Sequence, residues 1–241
     1  MADISIRESI RWLPDAASEP TSTIVLTSPE RRFVDIRILN PTTSSDQNLP
    51  LSRLDWAISG TSSSTPVTNP SIGQTYFHCI WRHWINSRTT DVLNAADEGD
   101  NHPVDGQPSL TLEKGSMINP STGLLTQYEE FWRSEEIQSV EGKKICLVLE
   151  YQGEKGEEER GSMIRLGQYV QAFMRKGEDI IVERYRYDGV KGWVCEAAIN
   201  EGGKLKVPSD FVMMVGGEAE VEDEVVGPGG ERWKVVEKSV L

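Results

Sequence analysis

The chain has 241 residues, and its 25 basic and 38 acidic side chains give a formal net charge of −13 at pH 7. This acidity, without any long run of basic residues, argues against nucleic acid and anionic membranes as partners, because both are bound by local clusters of lysine and arginine. Hydrophobic residues make up 37% of the chain, which is enough to bury a core without disulfides or structural metals.

Neither a membrane span nor a secretory signal is predicted. No apolar segment approaches the length of about 18 residues needed to cross a bilayer, and residues 1–15 lack the apolar centre of a signal peptide. The cysteines Cys79, Cys146 and Cys195 are widely spaced and form no CxxC pair, which favours buried, reduced thiols over a disulfide framework or a zinc site. The sequence therefore predicts a cytoplasmic protein.

Strand patterns rich in β-branched residues predict three strands in the first quarter of the chain, at 24–28, 32–39 and 54–60. Two polar segments that contain proline, 40–53 and 61–73, are predicted to be loops.

Residues 75–88 are the most informative segment. They contain two tryptophans, two histidines, a tyrosine and a phenylalanine, and no glycine, proline or acidic residue, which favours one long strand. Since alternate residues of a strand point to opposite faces, one predicted face consists of Tyr76, His78, Ile80, Arg82, Trp84, Asn86 and Arg88. The other consists of Phe77, Cys79, Trp81, His83, Ile85 and Ser87. Both faces carry large side chains, which is typical of a barrel wall that borders a cavity or a second domain.

After this strand, the acidic segment 91–108 is predicted to be a long irregular loop of the kind that often frames a binding site. A hairpin follows, with strands at 109–118 and 124–133 joined by the NPSTG turn at 119–123. The proline of that turn presets its backbone, and Gly123 supplies the left-handed residue.

The polar segment 134–143 is the predicted bridge between two domains, residues 1–140 and residues 141–241. Strand patterns recur in the second half, at 145–153, 180–187, 192–199 and 232–240. Segment 163–175 fits both a helical and an alternating period, and its Gly167 favours the strand. Neither half alternates strands with helices, so the predicted fold class is all-β, with two antiparallel barrels in tandem and little helix.

Five segments resemble those of a known fungal family. They are TSPERRFVDIRIL (27–39), LDWAISGTSSS (54–64), HCIWRHWINSRT (78–89), DEGDNHPVDG (97–106) and LEKGSMINPSTGLLTQYEEFWR (112–133). The chain resembles the fungal casein-kinase-interacting protein family, whose members have two lipocalin-like β-barrel domains. The resemblance is clearest over 25–133 and weaker over 165–185. It implies a calycin-type fold, residence in the cytoplasm and nucleus, and a casein kinase as partner, but it brings no catalytic residue.

Signatures of common catalytic sites are absent from the sequence, including GxSxG, the phosphate-binding GxxxxGK[ST] loop, GxGxxG and HExxH. His78 and His83 are five residues apart, so on one strand their rings point to opposite faces and cannot share a metal. His102 lies among acidic residues without the spacing of a calcium loop, and a solvated loop is favoured there. No cofactor and no metal site is predicted.

Ten aromatic, histidine and arginine side chains are candidate ligand-binding residues. They are Trp56, Tyr76, His78, Trp81, Arg82, His83, Trp84, Arg88, Tyr128 and Trp132. The face of 75–88 that carries His78 is the more informative one. A core role is the alternative for the aromatic residues and is favoured for His83. For the two arginines, pairing with Asp55, Glu129 or Glu130 is favoured over ligand binding.

Three functions remain open. The first is a binding module for a small apolar ligand or a protein, and the second is a regulatory protein that engages a kinase through its surfaces and acidic segments such as 218–224. The third is a cofactor-free cyclase, of Diels–Alder type, that orients a hydrophobic polyene or quinone-methide-like substrate of a fungal biosynthetic pathway. Binding or interaction is preferred, the cyclase is the alternative, and whether the protein is an enzyme is left open.

Overall fold

Antiparallel strands dominate the computed structural model of the protein, which describes residues 1–40, 48–68, 73–215 and 218–241. The first half closes into an eight-stranded barrel. Around the barrel the strands are β1 (Asp3–Trp12), β2 (Thr21–Thr27), β3 (Arg32–Leu39), β5 (Leu54–Thr68), β6 (Thr75–Asn86), β7 (Ala96–Val104), β8 (Gln107–Ile118) and β9 (Leu125–Glu135). Strand β9 pairs with β1 and completes the ring, while the intervening β4 (Asn48–Leu49) leaves it.

The second half forms an eight-stranded sheet. Its order is β15 (Glu224–Val226), β16 (Arg232–Val240), β10 (Ile145–Gln152), β11 (Glu159–Leu166), β12 (Tyr169–Lys176), β13 (Asp179–Asp188), β14 (Gly192–Asn200) and finally β4. Strand β4 pairs in parallel with β14, so the first half of the chain supplies one end of the second sheet. A short helix, α1 (Ser209–Val215), lies against β12.

The barrel and the sheet are joined by a shared apolar core. Strand β3 shows how the alternation of a strand produces it: Val34, Ile36 and Ile38 are fully buried against the sheet, where they belong to the same cluster as Phe173 and Val182. The intervening residues of β3 point into the barrel. Both faces of β3 are covered, so residues 33–38 are all buried, including the charged Asp35 and Arg37. The strand therefore lacks the alternation of buried and exposed residues that a strand with one solvent-facing side shows.

The opposite face of the sheet carries a second core. Alternate residues of β10, such as Leu147 and Leu149, pack there with Trp233 of β16 and Val212 of α1. A third and smaller cluster lies inside the barrel and is described below. No helix in the described part of the chain is both long and apolar enough to cross a bilayer.

The predicted all-β fold class is confirmed, with an antiparallel barrel followed by a second β unit and little helix. The hairpin is also confirmed: β8 and β9 flank residues 119–123, where the Asn119 side chain accepts a hydrogen bond from the Ser121 amide (2.8 Å) and Gly123 has a φ of 70°. The division at residue 140 and the likeness to lipocalins remain predictions.

Segment 163–175 is extended, as favoured, but it comprises two strands, because Gly167 with a φ of 53° turns the chain between β11 and β12. Three predicted loops are wrong in part, and in the first of them, 40–53, residues 48–49 form β4. Residues 61–68 belong to β5 and residues 96–104 form β7. Residues 61–68 pair with β6, and β7 pairs with β6 and β8, so backbone pairing holds both segments extended whatever their side chains are. The remainder of the predicted loops at 41–47 and 69–72 lies outside the described residues.

Candidate functional site

The barrel encloses a cavity of about 440 Å³, which is within the range of small-molecule binding sites. Inward-facing side chains from all eight barrel strands line it. Phe33, Trp81 and Met117 provide apolar surface, and Ser5 and Thr111 are among the hydroxyl-bearing residues. The cavity wall is therefore of mixed polarity.

Charged side chains form one part of this wall. Strand β3 turns Asp35 and Arg37 inward, and the guanidinium of Arg37 donates two hydrogen bonds, from Nε (2.9 Å) and Nη2 (2.8 Å), to the same oxygen of Asp35, Oδ2. Glu130 of β9 lies 3.9 Å from Arg37 and is paired more closely with Arg7, at 2.6 Å. These four residues are all buried. Such pairs are costly to bury, so each charge depends on its partner.

Glu113 of β8 is a second buried acid in the cavity. It lies directly opposite Glu130 in the β8–β9 pair and accepts a hydrogen bond from the Tyr128 hydroxyl at 2.8 Å. Burial, followed by the negative charge of Glu130, raises the pKa of Glu113 to about 8. Glu113 is therefore a neutral carboxylic acid at pH 7. Gly115 makes room for the Tyr128 ring, because a Cβ atom at this position would overlap the phenol.

Three buried polar atoms on the cavity wall have no hydrogen-bond partner among the described residues. They are Asp35 Oδ1, Asn101 Oδ1 and Trp132 Nε1. Asp35 is only 4% exposed. Leaving a buried polar group unpaired costs about 1–3 kcal/mol, and native proteins contain few such groups. All three belong to residues that line this cavity, and no other barrel strand residue in the described part of the chain has such an atom.

Three of the ten predicted site residues line the cavity: Trp81, Tyr128 and Trp132. Two others lie beside it inside the barrel. The Trp56 indole packs with Phe33, Ile58 and Trp81 in the third core cluster. His83 Nε2 donates to Asp97 Oδ2 at 3.1 Å, and the His83 ring meets the Trp56 ring edge-on, with ring centroids 6.0 Å apart.

Asn86 fixes the positions of both rings. Its Oδ1 accepts a hydrogen bond from Trp56 Nε1 (2.9 Å), and its Nδ2 donates to His83 Nδ1 (3.2 Å). His83 is therefore a buried histidine bonded to Asp97 of the neighbouring strand β7 and to Asn86 of its own strand, which agrees with the role favoured for it.

The other five predicted residues do not border this cavity. Tyr76 stacks on His102 (centroids 4.8 Å apart), and His78 Nδ1 bonds with Asp100 at 2.9 Å. Arg82 is exposed.

Trp84 packs against the core shared by the barrel and the sheet, where the Arg160 guanidinium lies 5.3 Å from its ring. Arg88 pairs with Asp55 at 3.2 Å, as favoured. The face of β6 expected to be more informative is thus the outer one.

A β-bulge explains why the predicted faces of β6 fail near its end. The register shifts where Ser59 pairs with Ile85 and Gly60 pairs with His83, which leaves Trp84 as the extra residue. Beyond it Ile85 faces the sheet and Asn86 faces the barrel interior, the reverse of the predicted arrangement. Gly60 permits this close approach, since a Cβ atom there would collide with the Arg82 carbonyl oxygen.

Sequence analysis missed the charged cavity residues Asp35, Arg37 and Glu113 and the Arg7 that pairs with Glu130, and considered Glu130 only as a partner of Arg82 and Arg88. One signal was available: in residues 32–39 charged side chains alternate with β-branched ones. Among the described residues no three metal-ligating side chains converge to form a metal site.

The comparisons with known proteins identify a family and a fold. The family model described as Protein HRI1 matches residues 3–237. A search of curated proteins gave no match. The crystal structure of an uncharacterized protein, YLR301w, from Saccharomyces cerevisiae is similar over 99% of both chains, with a TM-score of 0.74 and 15% sequence identity. At this identity the likeness extends to the fold alone.

Proposed function

The chain belongs to the Protein HRI1 family, and on that premise we propose that it is a binding protein that holds one small amphipathic molecule inside its barrel. The observation that carries this proposal is that three residues lining a single cavity, Asp35, Asn101 and Trp132, each have a buried polar atom without a partner among the described residues. A molecule with complementary polar groups would pair them and offset the cost of burying them.

The wall chemistry supports an amphipathic ligand instead of the purely apolar one expected from the sequence. Apolar contacts are available from Val25, Phe33, Trp81 and Met117. Polar contacts are available on the same wall, so a hydrocarbon ligand would leave buried acceptors such as Asp35 Oδ1 unpaired. The kinase partner implied by the resemblance, residence in the cytoplasm or nucleus, and the cyclase alternative stay predictions.

A variant that blocks the cavity tests the proposal. Ser64 lines the cavity and pairs with Cys79, which also faces inward, whereas the next residue, Thr65, pairs with His78 on the outer face. Both Ser64 and Thr65 are exposed. We expect Ser64→Trp to obstruct the interior and Thr65→Trp, one residue along the same strand, to leave it open.

The measurement is native mass spectrometry of the full chain purified from fungal cells. The wild-type protein and Thr65→Trp should carry a bound small molecule that is released on denaturation, and Ser64→Trp should lose most of it. An equal amount on all three proteins would place the molecule outside the barrel and contradict the proposal, as would its absence from the wild type.

A further inference from the structure

We propose that the molecule in the barrel is an organic cation, in which an ammonium group that contacts Asp35 is joined to an apolar body that fills the space beside Trp81. This inference rests on the proposed function, because it names the ligand class of the same cavity.

Only one of the two carboxylate oxygens of Asp35 accepts hydrogen bonds, which leaves the other oxygen available to a hydrogen-bond donor. Both Arg37 bonds go to Oδ2, and Oδ1 has no donor in the described structure although the residue is 4% exposed. The second unpartnered acceptor, Asn101 Oδ1, belongs to a lining residue of β7, which β5 and β6 separate from β3 around the barrel. Two buried acceptors, one of them on a carboxylate, select a ligand that brings N–H groups, and a charged N–H donor gives the strongest such bond.

The charge of the wall favours a cation over an anion. Five acidic residues line the cavity: Asp3, Asp35, Asp97, Glu113 and Glu130. Only two basic residues do so, Arg31 and Arg37. With Glu113 neutral, four acidic groups remain on the wall against Arg31, Arg37 and the Arg7 guanidinium that pairs with Glu130, so acidic groups outnumber basic ones by one. A carboxylate ligand would add negative charge to this wall, where the low polarity of the interior strengthens repulsion.

Aromatic rings complete an environment suited to an ammonium group. Phe33, Phe77, Trp81 and Trp132 line the cavity, and the negative face of such rings attracts organic cations, by about 2 kcal/mol or more where water is excluded. An alcohol would use the acceptors but would gain neither this attraction nor the charge of Asp35. The combination of carboxylate and aromatic rings therefore points to an amine.

Binding of a cation should depend on whether Glu113 is protonated. Glu113 is faced by Glu130 and Tyr128 from β9, by Asp97 from β7 and by Arg37 from β3. Its pKa of about 8 reflects burial and the nearby negative charge. A positive charge in the cavity stabilises the Glu113 carboxylate and lowers that pKa, so the amine should bind more tightly as pH rises from neutral toward about 8, with release of a proton.

Three compounds that share a phenyl ring on a three-carbon chain and differ in the terminal functional group test the proposal. They are phenylpropylamine, phenylpropanol and phenylpropanoic acid. Their affinities for the full chain are measured at pH 7 by quenching of tryptophan fluorescence and by saturation-transfer NMR. We expect the amine to bind about tenfold more tightly than the alcohol, since charged hydrogen bonds are roughly twice as strong as neutral ones, and the acid to bind most weakly.

Asp35→Asn should weaken amine binding by about tenfold, which corresponds to about 1.4 kcal/mol, and should leave alcohol binding within about threefold. Because this variant also disturbs Arg37, Glu113→Gln provides a second measurement: it keeps a hydrogen-bond acceptor for Tyr128 and should abolish the rise of amine affinity with pH while the amine still binds.

The possible outcomes separate the two proposals. Equal binding of amine and alcohol, or tightest binding of the acid, overturns the cation and leaves a barrel that binds small molecules. If none of the three compounds binds, and if the wild type and Ser64→Trp carry equal amounts of small molecule in native mass spectrometry, both the cation proposal and the proposed function are overturned.

Discussion

Glu113 illustrates how one buried acid links the cavity to stability. Its pKa of about 8 in the folded protein compares with an ordinary value of 4.5. Between these two pH values the folded state keeps a proton that the unfolded chain has lost, so the free energy of unfolding falls as pH rises through this window. We expect a slope of at most about 1.4 kcal/mol per pH unit and its removal in Glu113→Gln, measured by urea denaturation from about pH 5 to pH 9.

The matched control is Glu98→Gln, since Glu98 is an acid on β7 with a largely exposed side chain. It should retain the wild-type slope. A slope that persists in Glu113→Gln would mean that another group holds the proton, and the assignment of a neutral Glu113 would then be wrong.

Asn86 stabilises the fold through three side-chain hydrogen bonds. It accepts hydrogen bonds from the Trp56 indole (2.9 Å) and the Arg88 amide (2.8 Å), and it donates to His83 (3.2 Å). Asn86→Ala leaves these buried groups unpaired, which should lower the free energy of unfolding by about 2–4 kcal/mol. Asn94→Ala, in an exposed turn, should change it by less than about 0.5 kcal/mol. Similar losses for both variants would contradict the role of Asn86.

At the scale of single strands, the sequence predicts most positions and misses some boundaries. Strands at 24–28, 32–39 and 145–153 are recognisable because both of their faces are buried, which makes them rich in β-branched and apolar residues. Residues 61–68 and 96–104 lack that signal. They are extended because neighbouring strands pair with their backbones, and a pairing partner distant in sequence leaves no local pattern.

The inward face of β6 was predictable from Phe77 to His83 and not beyond it. Its bulge depends on Gly60 of the neighbouring strand, so alternation within β6 alone gives the wrong face for Ile85 and Asn86. The cavity charges were missed for a related reason. Both faces of β3 are buried, and residue type alone does not distinguish the barrel interior from the core against the sheet.

Gly115 of β8 offers a test of how one strand shapes the cavity. A Cβ atom here would overlap the Tyr128 phenol, so Gly115→Ala must displace the ring and weaken its hydrogen bond to Glu113. We expect a loss of about 1–3 kcal/mol in the free energy of unfolding, together with weaker binding of phenylpropylamine. Both are measured by tryptophan fluorescence, in denaturant and in a titration.

Gly189→Ala is the matched control, because a Cβ atom at Gly189 has open space around it and the backbone there lacks a positive φ. It should change neither quantity appreciably. Normal probe binding by Gly115→Ala would show that the Tyr128 ring has no part in forming the site.

At the scale of the whole molecule, the barrel and the sheet are fastened by polar contacts within their shared core. Gln171 of β12 donates to the carbonyl oxygens of Ile24 (3.0 Å) and Val34 (2.9 Å), and Arg184 of β13 donates to that of Ile36 (2.7 Å). Both side chains are buried and reach from the sheet to the barrel. Buried hydrogen bonds of this kind require one arrangement of the two units, since any displacement would leave these groups unpaired.

Separating the halves should therefore abolish stable folding, even though a boundary at residue 140 is predicted from the sequence. Alone, residues 1–140 would expose the β3 residues Val34, Ile36 and Ile38, which the full chain buries completely, and losing each such side chain from a core forfeits about 1.5–3 kcal/mol. We expect the full chain to unfold in one transition by urea denaturation, and the 1–140 fragment to show no cooperative transition unless the fragment 141–241 is added. A cooperative transition of 1–140 alone, at the urea concentration that unfolds the full chain, would instead make the barrel an autonomous domain and would reduce the shared core to a docking surface.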